Sequence, residues 1–391
     1  MGISPPWRAL TVLSLVLVIT AIAACEKPPP LEDIPSRVLV EPGPEYRVAL
    51  DSARQVARRS IGRMYIPGVS IAVGVDGEII WSEGFGWSDL SQKTPATPMT
   101  VYPAGSISKS MTSVAVGVLL ERGLLDLDAE VQTYLPDFPE KKGPLSTRLI
   151  MGHIAGLQNY GAAVALRWDH CDDITESVPA MQDDTLLWMP GERYRYSNYG
   201  FNMVGAIVRV AADEPYLDFM QREVFDAMEM RQTIPDTAQQ LPSELGTPYN
   251  KRSFETLRHA QPVDMSCAMA AGGFLSTPSD LVRFGFAMLN HEVLEVETVD
   301  LLWTALTVNS GYPTGYGLGW SVRPVRLGAD EGSTPAVGHG GSTLGGRASL
   351  LILPELNMVV TAMTNARGRR VNMSALTGYV ASFFRSPEST Q

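Results

Sequence analysis

Apolar runs interrupted by glycine, proline and aspartate divide the chain into readable elements. Residues 45–64 set Val48, Ala49, Ala53, Val56, Ala57 and Ile61 along one side at helical spacing, which predicts an amphipathic helix. Residues 69–75 and 79–86 are apolar stretches on either side of Asp76-Gly77, the pattern of a β-hairpin. Pro103 and Gly105 then break the chain, and the unbroken apolar run 111–120 predicts a buried helix. Residues 124–128 and 134–136 read as loops and turns, and 149–158 as a short helix closed by Gly156. From 160 to about 290 the pattern is mostly helical. It includes a Met189-Pro190-Gly191 turn, a helix over 201–212, and a capped helix beginning near Ser279 and running through Leu289. From Gly315 onward the spacing turns to strands, over 316–325, 337–339, 348–353 and 358–364, before a closing helix over 372–385.

Helix and hairpin at the start, helices in the middle, and strands with a helix at the end predict an α+β fold. The two ends form one antiparallel sheet flanked by helices, and a mostly helical domain, about 150–290, is inserted between them. The cleft between these parts is where a site is expected. The chain has 391 residues, of which 45% are hydrophobic and 19% charged, enough for one large core or two layers sharing a cleft. A net charge of −11 argues against a nucleic-acid partner, which needs a basic face. No internal repeat or heptad pattern stands out.

The first 24 residues carry one charge, Arg8, followed by an apolar run that ends in Ile22-Ala23-Ala24-Cys25. This ending resembles a bacterial lipobox, which implies a signal peptide over 1–24, cleavage before Cys25 and lipid attachment to its thiol. The alternative is an ordinary secretory signal with Cys25 incidental. Lipidation predicts a bacterial cell-envelope protein facing the periplasm, with the membrane as partner through its anchor. Loss of Arg8 leaves 30 basic against 42 acidic residues, a mature charge of −12. Residues 25–44 are proline-rich and read as a semi-rigid linker, 45–385 as the folded domain and 386–391 as a tail. Cys171 and Cys267 form a disulfide in an oxidising compartment or remain two buried thiols; spacing alone does not choose.

Candidate chemistry is centred on Ser106 and Lys109. Three residues is one helical turn, so the two side chains share a face. Lys109 is the only charged residue between Lys93 and Glu121, in a chain with six Lys and twenty-five Arg. Burial lowers a lysine's pKa, and a neutral amine one turn from a hydroxyl can take its proton. Ninety residues on, Tyr196-Ser197-Asn198 offers a phenol for proton relay and an amide for holding a substrate. His339-Gly340-Gly341-Ser342 falls in the late strand region, where glycines let a substrate backbone come close. Each motif alone has a plain structural explanation, as a helix cap or a turn. The five histidines show no metal-ligand spacing, and no metal or cofactor is expected.

Together and in this order the motifs resemble those of the serine β-lactamase and penicillin-binding-protein superfamily. The resemblance is to its class C β-lactamase-like branch, with D-peptidases, esterases and the mitochondrial β-lactamase-like protease. Gly105–Lys109, Gly152–Leu157, Pro190-Gly191, Tyr196–Gly200, Gly272-Gly273 and Gly338–Gly341 carry it, spanning roughly residues 45–385. It implies Ser106 as nucleophile, Lys109 as its proton acceptor, Tyr196 and Asn198 as the second motif, and an oxyanion hole from the backbone N–H of Ser106 and Ser342. The family's third motif often begins with lysine, where this chain has His339. No Glu-x-x-x-Asn segment stands where a class A deacylation base would, so deacylation is expected from the Tyr196–Lys109 side. The implied function is a two-step serine hydrolase acting on an amide or ester of a small molecule or peptide. The alternative is a catalytically silent cell-wall-binding lipoprotein of the same fold.

Overall fold

The computed structural model describes residues 31–159, 170–237, 241–251, 256–261, 263–327 and 332–385. The expected signal segment, Cys25, residues 160–169 and residues 386–391 lie outside the described residues. One eight-stranded antiparallel sheet organises the rest. Its principal strands are β1 (Ser36–Val40), β2 (Gly68–Val75), β3 (Glu78–Asp89), β4 (Ser321–Val322), β5 (Val337–Ser342), β6 (Arg347–Leu353) and β7 (Met358–Thr364). Their spatial order is β1-β3-β2-β7-β6-β5-β4, with Thr94–Pro95 added beside β3. The two ends of the chain therefore meet at the β2–β7 pair, where Met358 faces Val75 and Thr364 faces Val69.

The late strands read as nearly continuous apolar runs because both sheet faces are covered. Side chains alternate along a strand. In β6, Leu350 and Ile352 enter one core with Met111, Val114, Leu281 and Val282, while Leu351 and Leu353 enter the other with Ala53, Ala57, Leu376 and Val380. The first core packs under α2 (Ser108–Glu121) and the helix Pro278–Leu289. The second packs under α1 (Arg47–Met64) and the C-terminal helix Met373–Phe384. Between the sheet's two halves run α3 (Thr147–Met151) and α4 (Asn198–Ala212), and the helix Pro278–Leu289, labelled α5, returns the chain to the sheet; Met373–Phe384 is α6. Helices dominate residues 150–290, as expected, with short strand pairs in addition, such as Tyr249–Lys251 against Leu257–His259.

The hairpin turn stands at Asp76-Gly77, both with positive φ. Other elements differ from the sequence reading. The expected linker carries a strand: β1 pairs with β3 from Ser36–Phe85 to Val40–Ser82. In α1, Leu50 and Ser60 are buried while Val48 is exposed, so the inward stripe is rotated from the expected one. The short helix expected over 149–158 is Thr147–Met151, begun by the Ser146 side chain accepting from the Leu149 N–H. It stops at Gly152 because His153 takes a positive φ of 58°, which no helix accommodates. The strand expected over 316–325 is reduced to Ser321–Val322 and a separate short strand, Val325–Arg326, paired with Ser333–Thr334. Gly315 and Gly319 both hold positive φ, and a Cβ on Gly317 would lie 2.3 Å from the Leu302 carbonyl oxygen, so this run folds irregularly against Leu302.

Cys171 and Cys267 are joined in a disulfide, Cα atoms 5.1 Å apart, closing a separation of 96 residues. Crosslinks over loops of this length typically contribute about 2–5 kcal/mol. This one ties the segment after residue 169 to the turn Ser266–Ala268, which leads directly into the turn Met269–Gly272 that lines the site described next.

Candidate active site

Ser106 lies in the single turn Gly105–Ile107 that leads directly into α2. Gly105 has φ +55° there, and a Cβ on it would sit 2.7 Å from the Ser342 backbone nitrogen. A Cβ on Gly341 would sit 2.0 Å from the Ala104 carbonyl oxygen. Glycine at both positions is what lets β5 lie against the serine turn, bringing the Ser342 N–H beside the Ser106 segment.

Lys109 projects from the first turn of α2 and is wholly buried. Its Nζ stands 3.4 Å from Ser106 Oγ and 2.8 Å from Asn198 Oδ1, and it also hydrogen-bonds the Ala271 carbonyl. The Tyr196 and Phe201 rings cover it, with centroids 4.9 and 5.6 Å away. No carboxylate pairs with it among the described residues. Burial therefore holds its pKa well below the ordinary lysine value. A neutral amine has two N–H donors and one lone pair. The Asn198 and Ala271 oxygens, which can only accept, take the two donors, which leaves the lone pair toward the Ser106 hydroxyl.

The second motif is held from below by its own cap. Ser197 caps α4, its hydroxyl accepting from the Gly200 N–H at 3.1 Å and donating to the Gln158 carbonyl at 2.7 Å. Because Ser197 caps, Asn198 is free to face Lys109; its backbone N–H donates to Asn159 Oδ1 at 3.1 Å. The Tyr196 phenol is buried and without a hydrogen-bond partner of normal geometry among the described residues. Burial raises its pKa, and the neighbouring Ser106 hydroxyl offsets part of that rise.

His339 is buried, and both ring nitrogens are engaged within the protein. Nδ1 donates to the Gly340 carbonyl at 2.8 Å, so Nε2 accepts from the Tyr316 hydroxyl, also at 2.8 Å. Burial lowers its pKa to about 4. It is a neutral ring at pH 7, with no N–H left for a ligand. Another candidate cation on these strands is Arg347, opposite Ser342 in the β5–β6 register, with its Nε buried and unpartnered among the described residues. Arg347 leaves β6 on the side of Ser349, whose hydroxyl meets Thr377 of α6. His339 pairs with Leu350, which lies in the opposite core. The two side chains therefore start from opposite faces of the sheet.

The structure thus brings Ser106, Lys109, Tyr196, Asn198 and the strand His339–Ser342 to one place. Sequence reasoning missed three contributors. The Ala271 carbonyl is invisible in sequence because any residue carries one. Tyr316 was read as the start of a strand. His153 was seen only as part of a glycine-bounded segment. It is 2% exposed, and its Nδ1 accepts the Ser197 N–H at 3.2 Å. Its carbonyl accepts the Arg195 N–H at 2.7 Å, and its ring centroid lies 4.2 Å from that of Tyr196. Burial holds it neutral, as an accepting Nδ1 requires. His153 thereby fixes the loop that carries Tyr196 and Asn198. No sequence signal marks it, because its positive φ is visible only in the folded backbone.

Comparison with known proteins identifies the family and the fold. The family model described as Beta-lactamase matches residues 54–382. The mitochondrial serine beta-lactamase-like protein of Homo sapiens is 29% identical over 396 residues, covering 78% of this chain and 72% of that protein. Among solved structures, the octameric penicillin-binding protein homologue from Pyrococcus abyssi superposes with a TM-score of 0.75 at 22% identity, over 87% of this chain and 78% of that one. The D-amino acid amidase from Ochrobactrum anthropi SV3, complexed with L-phenylalanine amide, gives 0.74 at 20% identity, over 86% and 98%.

Removing the His153 acceptor tests its hold on the loop. His153→Leu leaves the buried Ser197 N–H unsatisfied, at a cost of about 1–3 kcal/mol, and is expected to lower the melting temperature. His153→Asn keeps an acceptor and tolerates positive φ, so it should fall between Leu and wild type. Thermal unfolding of the three proteins checks the order; equal melting of Leu and Asn variants would contradict it.

Proposed function

The chain belongs to the Beta-lactamase family, and from that premise we propose a serine hydrolase that works through an acyl-enzyme, with Ser106 as nucleophile and Lys109 as its base. The observation that carries the proposal is the buried Lys109 amine, its two donors taken by Asn198 and Ala271 and its lone pair facing Ser106. Ser106 Oγ attacks the substrate carbonyl carbon as its proton passes to Lys109 Nζ. The backbone N–H groups of Ser106 and Ser342 stabilise the oxyanion. Collapse expels the amine or alcohol, which takes a proton from the Lys109–Tyr196 pair. Water then enters with the same pair as base, and the ester to Ser106 hydrolyses to acid and free serine.

The substrate is proposed to be a peptide or ester rather than a β-lactam turned over efficiently. His339 stands where related enzymes often place a lysine, and here the position is neutral with both nitrogens occupied. A carboxylate beside the scissile bond would lose a charge-assisted contact of roughly 1.5–3 kcal/mol, about ten- to a hundred-fold in transition-state binding. We place the protein in a bacterial cell envelope through lipid on Cys25, supported by the apolar run ending in Ile22-Ala23-Ala24-Cys25. A silent binding lipoprotein of the same fold would not react at Ser106.

Incubated with a fluorophosphonate or fluorescent penicillin, wild type should gain one adduct by mass spectrometry and Ser106→Ala none. Lys109→Ala should acylate about a hundred- to ten-thousand-fold more slowly. Because protonation removes the lone pair, the wild-type rate should fall as pH drops through the lowered Lys109 pKa. An adduct on Ser106→Ala would move the nucleophile elsewhere. His339→Lys should raise cephalosporin turnover relative to a neutral ester at pH 7.5. An unchanged ratio, or a wild type already efficient on cephalosporins, would overturn the assignment of His339. Cys25→Ser should accumulate as unprocessed precursor in a bacterial host, and normal maturation of that variant would remove the lipid anchor from the account.

A further inference from the structure

A cavity of about 680 Å³ opens beside the candidate active site, within the size range of ligand-binding pockets. One wall is Arg193 and Tyr194, directly before the Tyr196-Ser197-Asn198 motif. The other is Tyr312, Thr314, Val322 and Arg323. Both walls lead back to the site. The Tyr194 ring lies 6.0 Å from that of Tyr316, whose hydroxyl is bonded to His339. Val322 pairs with Val337, two residues before His339 on β5. The walls are also tied to each other, since the Asn309 N–H donates to the Gly191 carbonyl at 2.8 Å.

The lining has a definite chemistry. Neither Arg193 nor Arg323 forms an ion pair with a carboxylate among the described residues, in a chain of net charge −11. Arg323 is anchored by donating from Nη2 to the Thr314 carbonyl at 3.1 Å and from Nε to the Gly315 carbonyl at 3.4 Å. A guanidinium has five N–H donors, so three remain on a group already fixed in place. The one acidic residue in the lining, Glu192, has its Oε2 accepting from the Met189 N–H at 3.2 Å. Tyr312 stands at the lip 73% exposed, a large flat surface that packs against little of its own chain.

From these observations we propose that this cavity is a substrate subsite for a peptide segment bearing carboxylates, held by Arg193 and Arg323 and flanked by Tyr194 and Tyr312. The inference rests on the hydrolase reading and deepens it. The substrate's negative charge is recognised away from the scissile bond, whereas beside that bond His339 supplies none.

The test is binding to the full chain carrying Ser106→Ala, measured by calorimetry, so that it does not depend on turnover. The probes are acetyl-Glu-Phe-Glu-amide and its uncharged counterpart acetyl-Gln-Phe-Gln-amide. The acidic peptide should bind more tightly, and added salt should weaken it selectively. Arg193→Gln, on an exposed side chain whose guanidinium lies 5.8 Å from the Trp188 ring centroid and pairs with no carboxylate among the described residues, should reduce its affinity about three- to five-fold. Combined with Arg323→Gln the loss should be about ten-fold or more, with the uncharged peptide unchanged throughout. Equal affinity for the two peptides, or indifference to Arg193→Gln, would overturn the proposal. Failure of the hydrolase reading would show separately, as absence of a Ser106 adduct in wild type.

Discussion

A lysine amine buried without a counter-ion is the constraint on which the rest of this site depends. An ammonium in that position would be costly to keep out of water, so the amine sheds its proton. The protein supplies neutral acceptors in place of a carboxylate: the Asn198 amide oxygen and the Ala271 carbonyl. Those two partners come from α4 and from the turn Met269–Gly272, elements far apart in sequence that pack against each other and against α2. A carboxylate there would hold the lysine charged and remove the lone pair that faces Ser106.

The same economy of charge extends outward. His153 and His339 flank the amine as neutral rings, each fixed in one tautomer by its hydrogen bonds. Aromatic rings from Tyr196, Phe201 and Tyr316 close the surroundings. On the other side, Gly105 and Gly341 remove the bulk that would hold β5 away from the serine turn. The helical part thus supplies the base and its partners, and the sheet supplies the backbone N–H groups. Beyond Tyr194, the lining of the neighbouring cavity carries the guanidinium groups of Arg193 and Arg323.

The sequence displayed what periodicity and local chemistry encode. The Asp76-Gly77 hairpin, α2, the capped helix α5 and the closing helix were legible, and so was the set Ser106, Lys109, Tyr196 and Asn198, because their spacing brings reactive groups onto recognisable elements. What it concealed depends on tertiary contact. The Ala271 carbonyl has no side-chain signature. His153 looked like an ordinary helix residue until its positive φ ended the helix. Glycines at 315, 317 and 319 turned an apparent strand into an irregular run, and β1 was hidden in a stretch whose prolines suggested a linker. The Cys171–Cys267 disulfide could not be chosen over free thiols without knowing that the two segments adjoin.

The central claim is that Lys109 is neutral in the resting protein, and its protonation can be observed directly. With only six lysines in the chain, isotope-labelled lysine gives a side-chain NMR spectrum simple enough to assign Lys109 by its loss in Lys109→Arg. The account predicts that the Lys109 signal at pH 7.5 is that of a free amine, and that it moves to the ammonium position only on acidification, well below the ordinary lysine value of about 10.4. A Lys109 signal that is ammonium at pH 7.5 and titrates near that ordinary value would contradict it.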